Sequence, residues 1–184
     1  VNAGRLPADS WVNDEVDGGG RIIGEVCHFV DLIQFLTSSL TRQVYCQRVA
    51  TGDSDSQDDV TVILTMGNDS IGVINYLSGG DKSASRERLE IIGDGAVGTL
   101  DNFKRCHITK DGKRRQYGSH FKTNRGHREL LDYLLNQVRP GSKVEVSTEE
   151  YINTTLTTFA IKESIRKGAR VPVIMPALDQ ESSI

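Results

Sequence analysis

Long apolar runs are missing from this chain of 184 residues. No stretch reaches the roughly 18 uninterrupted apolar residues of a membrane span, so no membrane partner is expected. A basic excess is missing too: 22 Lys and Arg stand against 25 Asp and Glu, a net charge of -3. That balance gives no electrostatic reason to expect nucleic acid. Cysteine is scarce and odd in number, at Cys27, Cys46 and Cys106, with no pairing pattern. Such usage fits a reducing cytoplasm, where the sequons at Asn68 and Asn153 are chance matches. A signal peptide, a phosphate-cradling lysine loop, a zinc-type Cys/His pairing and a G-x-S-x-G elbow are also lacking. The first residue is Val1, not methionine, and the chain reads as a fragment.

What is present is an ordinary globular composition, 37% hydrophobic and 26% charged. The length suits one sizeable core, and a single domain over residues 1–184 is expected. Residues 1–17 read as an extended segment and a polar loop, with Trp11 packed against the core. From Arg42 the apolar period changes to two. Strands are expected over Gln43 to Ala50, Val60 to Met66 and Ile71 to Leu77, with an acidic loop at Asp53 to Asp59. Further strands are expected at Arg88 to Ile92, Val97 to Leu100, Lys104 to Thr109 and Arg114 to Tyr117, turning at Asp94-Gly95 and Asp111-Gly112.

Helices resume near Gly126. Leu130, Leu131, Leu134, Leu135 and Val138 make an amphipathic face that stops before Pro140-Gly141. Ser147-Thr148-Glu149-Glu150 fits a capping box, ahead of a helix whose apolar residues are Ile152, Leu156, Phe159, Ala160 and Ile165. The tail VPVIMP is extended. The predicted class is α+β: a mainly antiparallel open sheet of about six or seven strands with helices on one face.

The sharpest signal is Gly18 to Leu36, GGGRIIGEVCHFVDLIQFL. Three glycines open a helix that is apolar on nearly every side, which predicts a buried element. Residues three and four apart share a face, so Gly24, His28 and Asp31 form one stripe with Glu25 at its edge. Burying an imidazole and carboxylates is costly unless they are paired or used. Functional acid/base chemistry and a structural network are equally open readings.

Other motifs carry less. Gly93-Asp94-Gly95-Ala96-Val97-Gly98 matches G-x-G-x-x-G, but a strand follows it where a dinucleotide site needs a helix, so it reads as a hairpin. Cys106 and His107, adjacent on a strand, point to opposite faces and cannot share a metal. His120 and His127, with Lys122, Arg125 and Arg128, read as a solvated basic face.

The glycine-rich helix resembles the C-terminal domain of the Gfo/Idh/MocA family of NAD(P)-dependent oxidoreductases. Members often carry GGG, then an acid, a His four residues after it, and another Asp. GGGRIIGEVCHFVD matches the glycines, His28 and Asp31, and RLEIIGDGAVGTLDNF is similar to the family's paired strands. The wording is closest to the branch in which this unit ends a longer fused, bi-domain polypeptide. The order of one helix, a sheet and two helices agrees with this dihydrodipicolinate-reductase-like C-terminal domain. Two features depart from the family. The acid position four before His28 is Gly24, with Glu25 beside it. The Rossmann domain and its Glu-Lys-Pro lysine are absent from this chain.

The resemblance implies a substrate-binding and oligomerisation domain, inactive by itself. Its intact enzyme would pass a hydride between NAD or NADP and a sugar, cyclitol or sugar-nucleotide-like hydroxyl. No cofactor or metal is expected on this chain alone. His28 would exchange the hydroxyl proton, Asp31 would hold His28, and Glu25 would bond substrate or tune the imidazole. Gly19, Gly20, Arg21, Gly24 and Lys82 would border the substrate, as would the loop from Ser78. The open sheet would serve as a homodimer interface. The alternative is a non-catalytic ligand-binding or dimerisation module in which the stripe is a buried structural network.

Overall fold

The structure, a computed structural model, describes residues 1–7, 9–13, 18–49, 59–118, 125–137, 139 and 148–177. A helix, α1 (Cys27–Thr37), precedes seven strands. These are β1 (Thr41–Arg48), β2 (Val60–Met66), β3 (Ile71–Tyr76), β4 (Arg88–Gly93), β5 (Ala96–Asp101), β6 (Arg105–Lys110) and β7 (Lys113–Gly118). Helices α2 (His127–Gln137) and α3 (Thr148–Lys167) follow, then a short strand β8 (Val171–Pro172). The α+β class and the antiparallel pairing are as expected.

The strands divide between two four-stranded sheets, ordered β3-β2-β1-β8 and β4-β5-β6-β7. The first takes in the C-terminal tail: Val171 pairs with Val44 and Pro172 with Gln43, so β8 occupies the edge beside β1. The second is a meander. Sequence patterning marks no boundary, yet the chain forms two compact units, Arg5–Ser78 with Val146–Ile184, and Val1–Gly4 with Gly79–Glu145.

In the first unit, alternate residues of the strands point to one buried face: Val44 and Cys46, then Val60, Val62, Leu64 and Met66, then Ile74 and Tyr76. Ile22, Val26 and Val30 of the opening helix and Ile161 of α3 complete the core. Burial also pushes the Cys46 thiol up to about 12. Trp11 does not join this core. It lies in a short 3-10 turn with its ring 71% exposed.

Helix α3 buries a different face from the one its apolar pattern predicts. Phe159 is exposed and Ile152, Leu156 and Ile165 only half-buried, while Asn153, Thr154, Thr157, Thr158 and Ser164 are buried beside Ala160 and Ile161. The reason is backbone pairing. The Asn153 side chain accepts from the Thr41 N–H at 3.0 Å and donates to the Thr41 carbonyl at 3.1 Å, where the β1–β2 register shifts. Gln34 of α1 donates to the same Oδ1 at 2.9 Å. Near the other end of α3, Ser164 Oγ accepts from the Cys46 N–H at 2.8 Å and donates to the Ala169 carbonyl at 2.7 Å. The polar side chains of Asn153 and Ser164 thus stand in for strand partners.

In the second unit the turns at Asp94-Gly95 and Asp111-Gly112 hold both residues at positive φ, as two-residue hairpins of the I′ kind require. No described residue of this unit is buried. Helix α2 forms where expected, but Leu130, Leu131, Leu134 and Leu135 are all exposed. The end of that helix at Val138 and Pro140, the capping residue Ser147, and Asp53 to Gln57 and Asp58 of the acidic loop lie outside the described residues.

Candidate active site

The glycine run opens the site. A side chain at Gly18 would run into the carbonyl oxygen of Trp11, and Gly19 and Gly20 hold φ of 69° and 78°. That left-handed entry is closed to most residues. The helix then begins with a π turn, Ile22–Val26, before tightening into α1, which ends at Ser38 in a left-handed cap.

The wide turn sorts the polar residues into two groups. Gly24, His28, Asp31 and Phe35 form an exposed stripe, with Phe35 at 78% exposure. The expectation of a buried His28 and Asp31 is therefore corrected: one face of this mostly apolar helix is open, and neither group bears a burial penalty. Among the described residues no hydrogen bond or ion pair engages either side chain. As residues three apart on a helix they do share a face.

Glu25 turns the other way. The Tyr76 hydroxyl of β3 donates to Glu25 Oε2 in a short hydrogen bond. Arg21 Nη2 lies 3.6 Å from the same oxygen, with its guanidinium 5.1 Å from the Tyr76 ring centroid. The Phe29 ring stands 6.3 Å from that ring. Arg21 and Tyr76 are buried, so a cation, a carboxylate and a phenol lie against one another beneath the helix. Burial, then the bond to Glu25, pushes the Tyr76 phenol well above its ordinary value, keeping it a protonated donor. Burial also raises the Cys27 thiol.

The predicted site residues thus fall into four sets. His28, Asp31 and Gly24 are together and open, and Glu25 and Arg21 are together with Tyr76, beneath the helix. Lys82 is exposed and belongs to the second unit. Gly20 is buried and Gly19 half-buried at the helix entry. Ser78 is buried, its N–H donating to Asp59 Oδ1 at 2.8 Å. Sequence reasoning missed Tyr76 and Asn153. The alternation Gly72, Ile74, Tyr76 was the available signal for the first, since a phenol on a core face needs a partner.

The remaining motifs carry no site. Gly93 to Gly98 is the β4–β5 hairpin, with no helix to receive a pyrophosphate. Among the described residues no group of three or more His, Cys, Asp or Glu could hold a metal ion, and no helix is long and apolar enough to cross a membrane. Arg125 pairs with Glu87 at 3.6 Å. His120 and Lys122 lie outside the described residues.

Known structures share this fold. An oxidoreductase domain protein from Kribbella flavida is 19% identical, with a TM-score of 0.72 over 93% of this chain and 54% of its own. Levoglucosan dehydrogenase in complex with NADH is 16% identical, with a TM-score of 0.72 over 95% of this chain and 55% of its own. The aldose-aldose oxidoreductase from Caulobacter crescentus, complexed with glycerol, is 15% identical, with a TM-score of 0.71 over 92% and 52%. The chain spans about half the length of these structures. No curated protein matches it. The family described as the GFO/IDH/MocA C-terminal domain matches residues 2–127. On that match, which covers more than half its length, the chain belongs to the GFO/IDH/MocA C-terminal domain family.

Proposed function

We propose that this chain is the substrate-binding half of an NAD(P)-dependent oxidoreductase acting on a hydroxyl of a sugar, cyclitol or sugar-nucleotide-like compound. The observation that carries the reading is the open His28–Asp31 face of α1. A structural network would have buried it, and the buried network here is Arg21, Glu25 and Tyr76 instead. Support also comes from the NADH and glycerol complexes of proteins with this fold.

The glycine motif of dinucleotide spelling joins two strands, so it offers no helix N-terminus to a pyrophosphate. A nicotinamide held by a Rossmann half would take or give the hydride. The work of this chain is the proton. The His28 imidazole accepts the proton of the substrate hydroxyl as the carbonyl forms and returns it in the reverse direction. Asp31, three residues on and on the same face, is assigned to holding the ring once substrate is bound. Gly24 leaves the space before His28 open, and Gly19 and Gly20 bring backbone up to the substrate. Glu25 acts from beneath: held by Tyr76 and Arg21, it sets the helix turn that presents His28.

The test is turnover by the parent polypeptide with NAD(H) and NADP(H) on a sugar and sugar-nucleotide panel. His28→Ala is expected to lose about 100-fold or more in kcat while the circular dichroism is unchanged. Unchanged turnover, or no cofactor binding by the parent, favours the non-catalytic module.

A homodimer forms part of the proposal. The outer face of the β3-β2-β1-β8 sheet presents Tyr45, Ile63, Ile71 and Val73 side by side, with Ile71 69% exposed. Such a face calls for a cover.

A further inference from the structure

The second unit holds a cleft of about 530 Å³ on one face of the β4-β5-β6-β7 sheet. Its lining includes Ser85, Arg88, Thr99, Asp101, Arg105 and His107. Strand register explains the gathering. Asp101 on β5 stands directly between Arg88 on β4 and Arg105 on β6, and one pair along the same face Thr99 stands opposite His107.

The charges are organised, not merely close. Asp101 Oδ2 binds the Arg105 guanidinium at 2.9 Å, and the Ser85 hydroxyl bonds the same carboxyl. These two bonds hold that carboxyl below the usual carboxylate range, so it stays charged and fixes Arg105 in place. The Arg88 guanidinium makes no side-chain hydrogen bond among the described residues, and its charge bears on the same Asp101 carboxyl. The Nδ1 atom of His107 is buried without a partner there. A buried polar atom left unpaired is a rare feature, and it leaves the imidazole with unused hydrogen-bonding capacity. Two guanidinium forks, an imidazole and two hydroxyls stand against Asp101, already engaged, and Glu90, which is opposite Thr99 but outside the cleft lining. A guanidinium fork matches an oxyanion in shape.

The geometry points to a binding site for a small hydroxylated oxyanion, its phosphate or carboxylate held by Arg88 and Arg105 and its hydroxyls by Thr99, His107 and Asp101. The volume falls in the range of small-molecule sites, about 300–1,000 Å³, and exceeds what a bare ion fills. This site involves none of the residues assigned to the proton step, and it stands whether or not that assignment does.

Calorimetry on the full chain with glycerol 3-phosphate, glycerate and glycerol tests it, beside NMR of the His107 ring. Glycerol 3-phosphate is expected to bind at least about tenfold more tightly than glycerol and to shift the His107 resonances. Arg88→Gln and, independently, His107→Gln are each expected to weaken that binding by about tenfold. Glycerate binding as tightly as the phosphate supports the same site with a carboxylate as the anion. The proposal is overturned if glycerol binds equally well, if neither anion binds, or if both variants bind like the unaltered chain.

Discussion

Every described residue that the structure buries belongs to the first unit, and the second has none. One sheet is backed by α1 and α3 and seals its strands with Val, Leu, Met and Tyr side chains. The other holds together through its ladder and its tight turns. It keeps Leu89, Ile91, Leu100, Cys106 and Ile108 on one face and Arg88, Thr99, Asp101, Arg105 and His107 on the opposite one. The same alternation therefore makes a core in one unit and only a potential interface in the other. A sheet without a covered face is marginal in water, so its cohesion depends on what it meets.

Paired truncations probe that contrast. Leu64→Ala, at a fully buried site, should cost about 2–5 kcal/mol by denaturant unfolding. Ile92→Ala, at a site 75% exposed, should cost about 0.5 kcal/mol or less. Equal losses would erase the contrast. Next in size is Asn153→Ala, which orphans the N–H and carbonyl of Thr41 in a buried setting. We expect a loss of about 2–4 kcal/mol and faster amide exchange along β1, with β4 to β7 unaffected.

Tyr76→Phe removes one donor from Glu25 and should cost about 1.5–3 kcal/mol, with exchange rising at Ile22 to Val26. The smallest effect is at Glu163, whose bonds to Arg166 and Lys167 hold its carboxyl at about 2. A depressed carboxylate stabilises above its unfolded value and loses that contribution as pH falls from about 4.5 toward about 2. Glu163→Gln should flatten that part of a Tm-against-pH curve slightly, because the group is exposed.

The strands were legible because period-two alternation and Asp-Gly turns act locally, and residues 60–66 and 71–76 follow the pattern closely. The pairing of β8 with β1 was not legible, since Val171 and Val44 are far apart in the chain and nothing in VPVIMP names its partner. Helix α3 misled because most of the residues it buries are polar, Ala160 and Ile161 apart; Asn153 and Ser164 answer backbone groups of β1 that no helix pattern displays. For the candidate site the orientation was not legible: a regular helical spacing could not divide Glu25 from His28 and Asp31.

That division has a consequence for counting. A π turn is an α-helix carrying one surplus residue. Each helical residue advances about 100°, so everything on the glycine side of Ile22–Val26 is out of step with His28 by that amount. Four back from His28 is Gly24, inside the widened turn, where a fixed spacing no longer names a fixed place. Removing one residue there would restore the regular helix and swing Arg21 from beneath Tyr76 while leaving His28 where it is. Chain length is therefore a variable here: a deletion in this turn, more than a substitution, would change which carboxylate faces the open side.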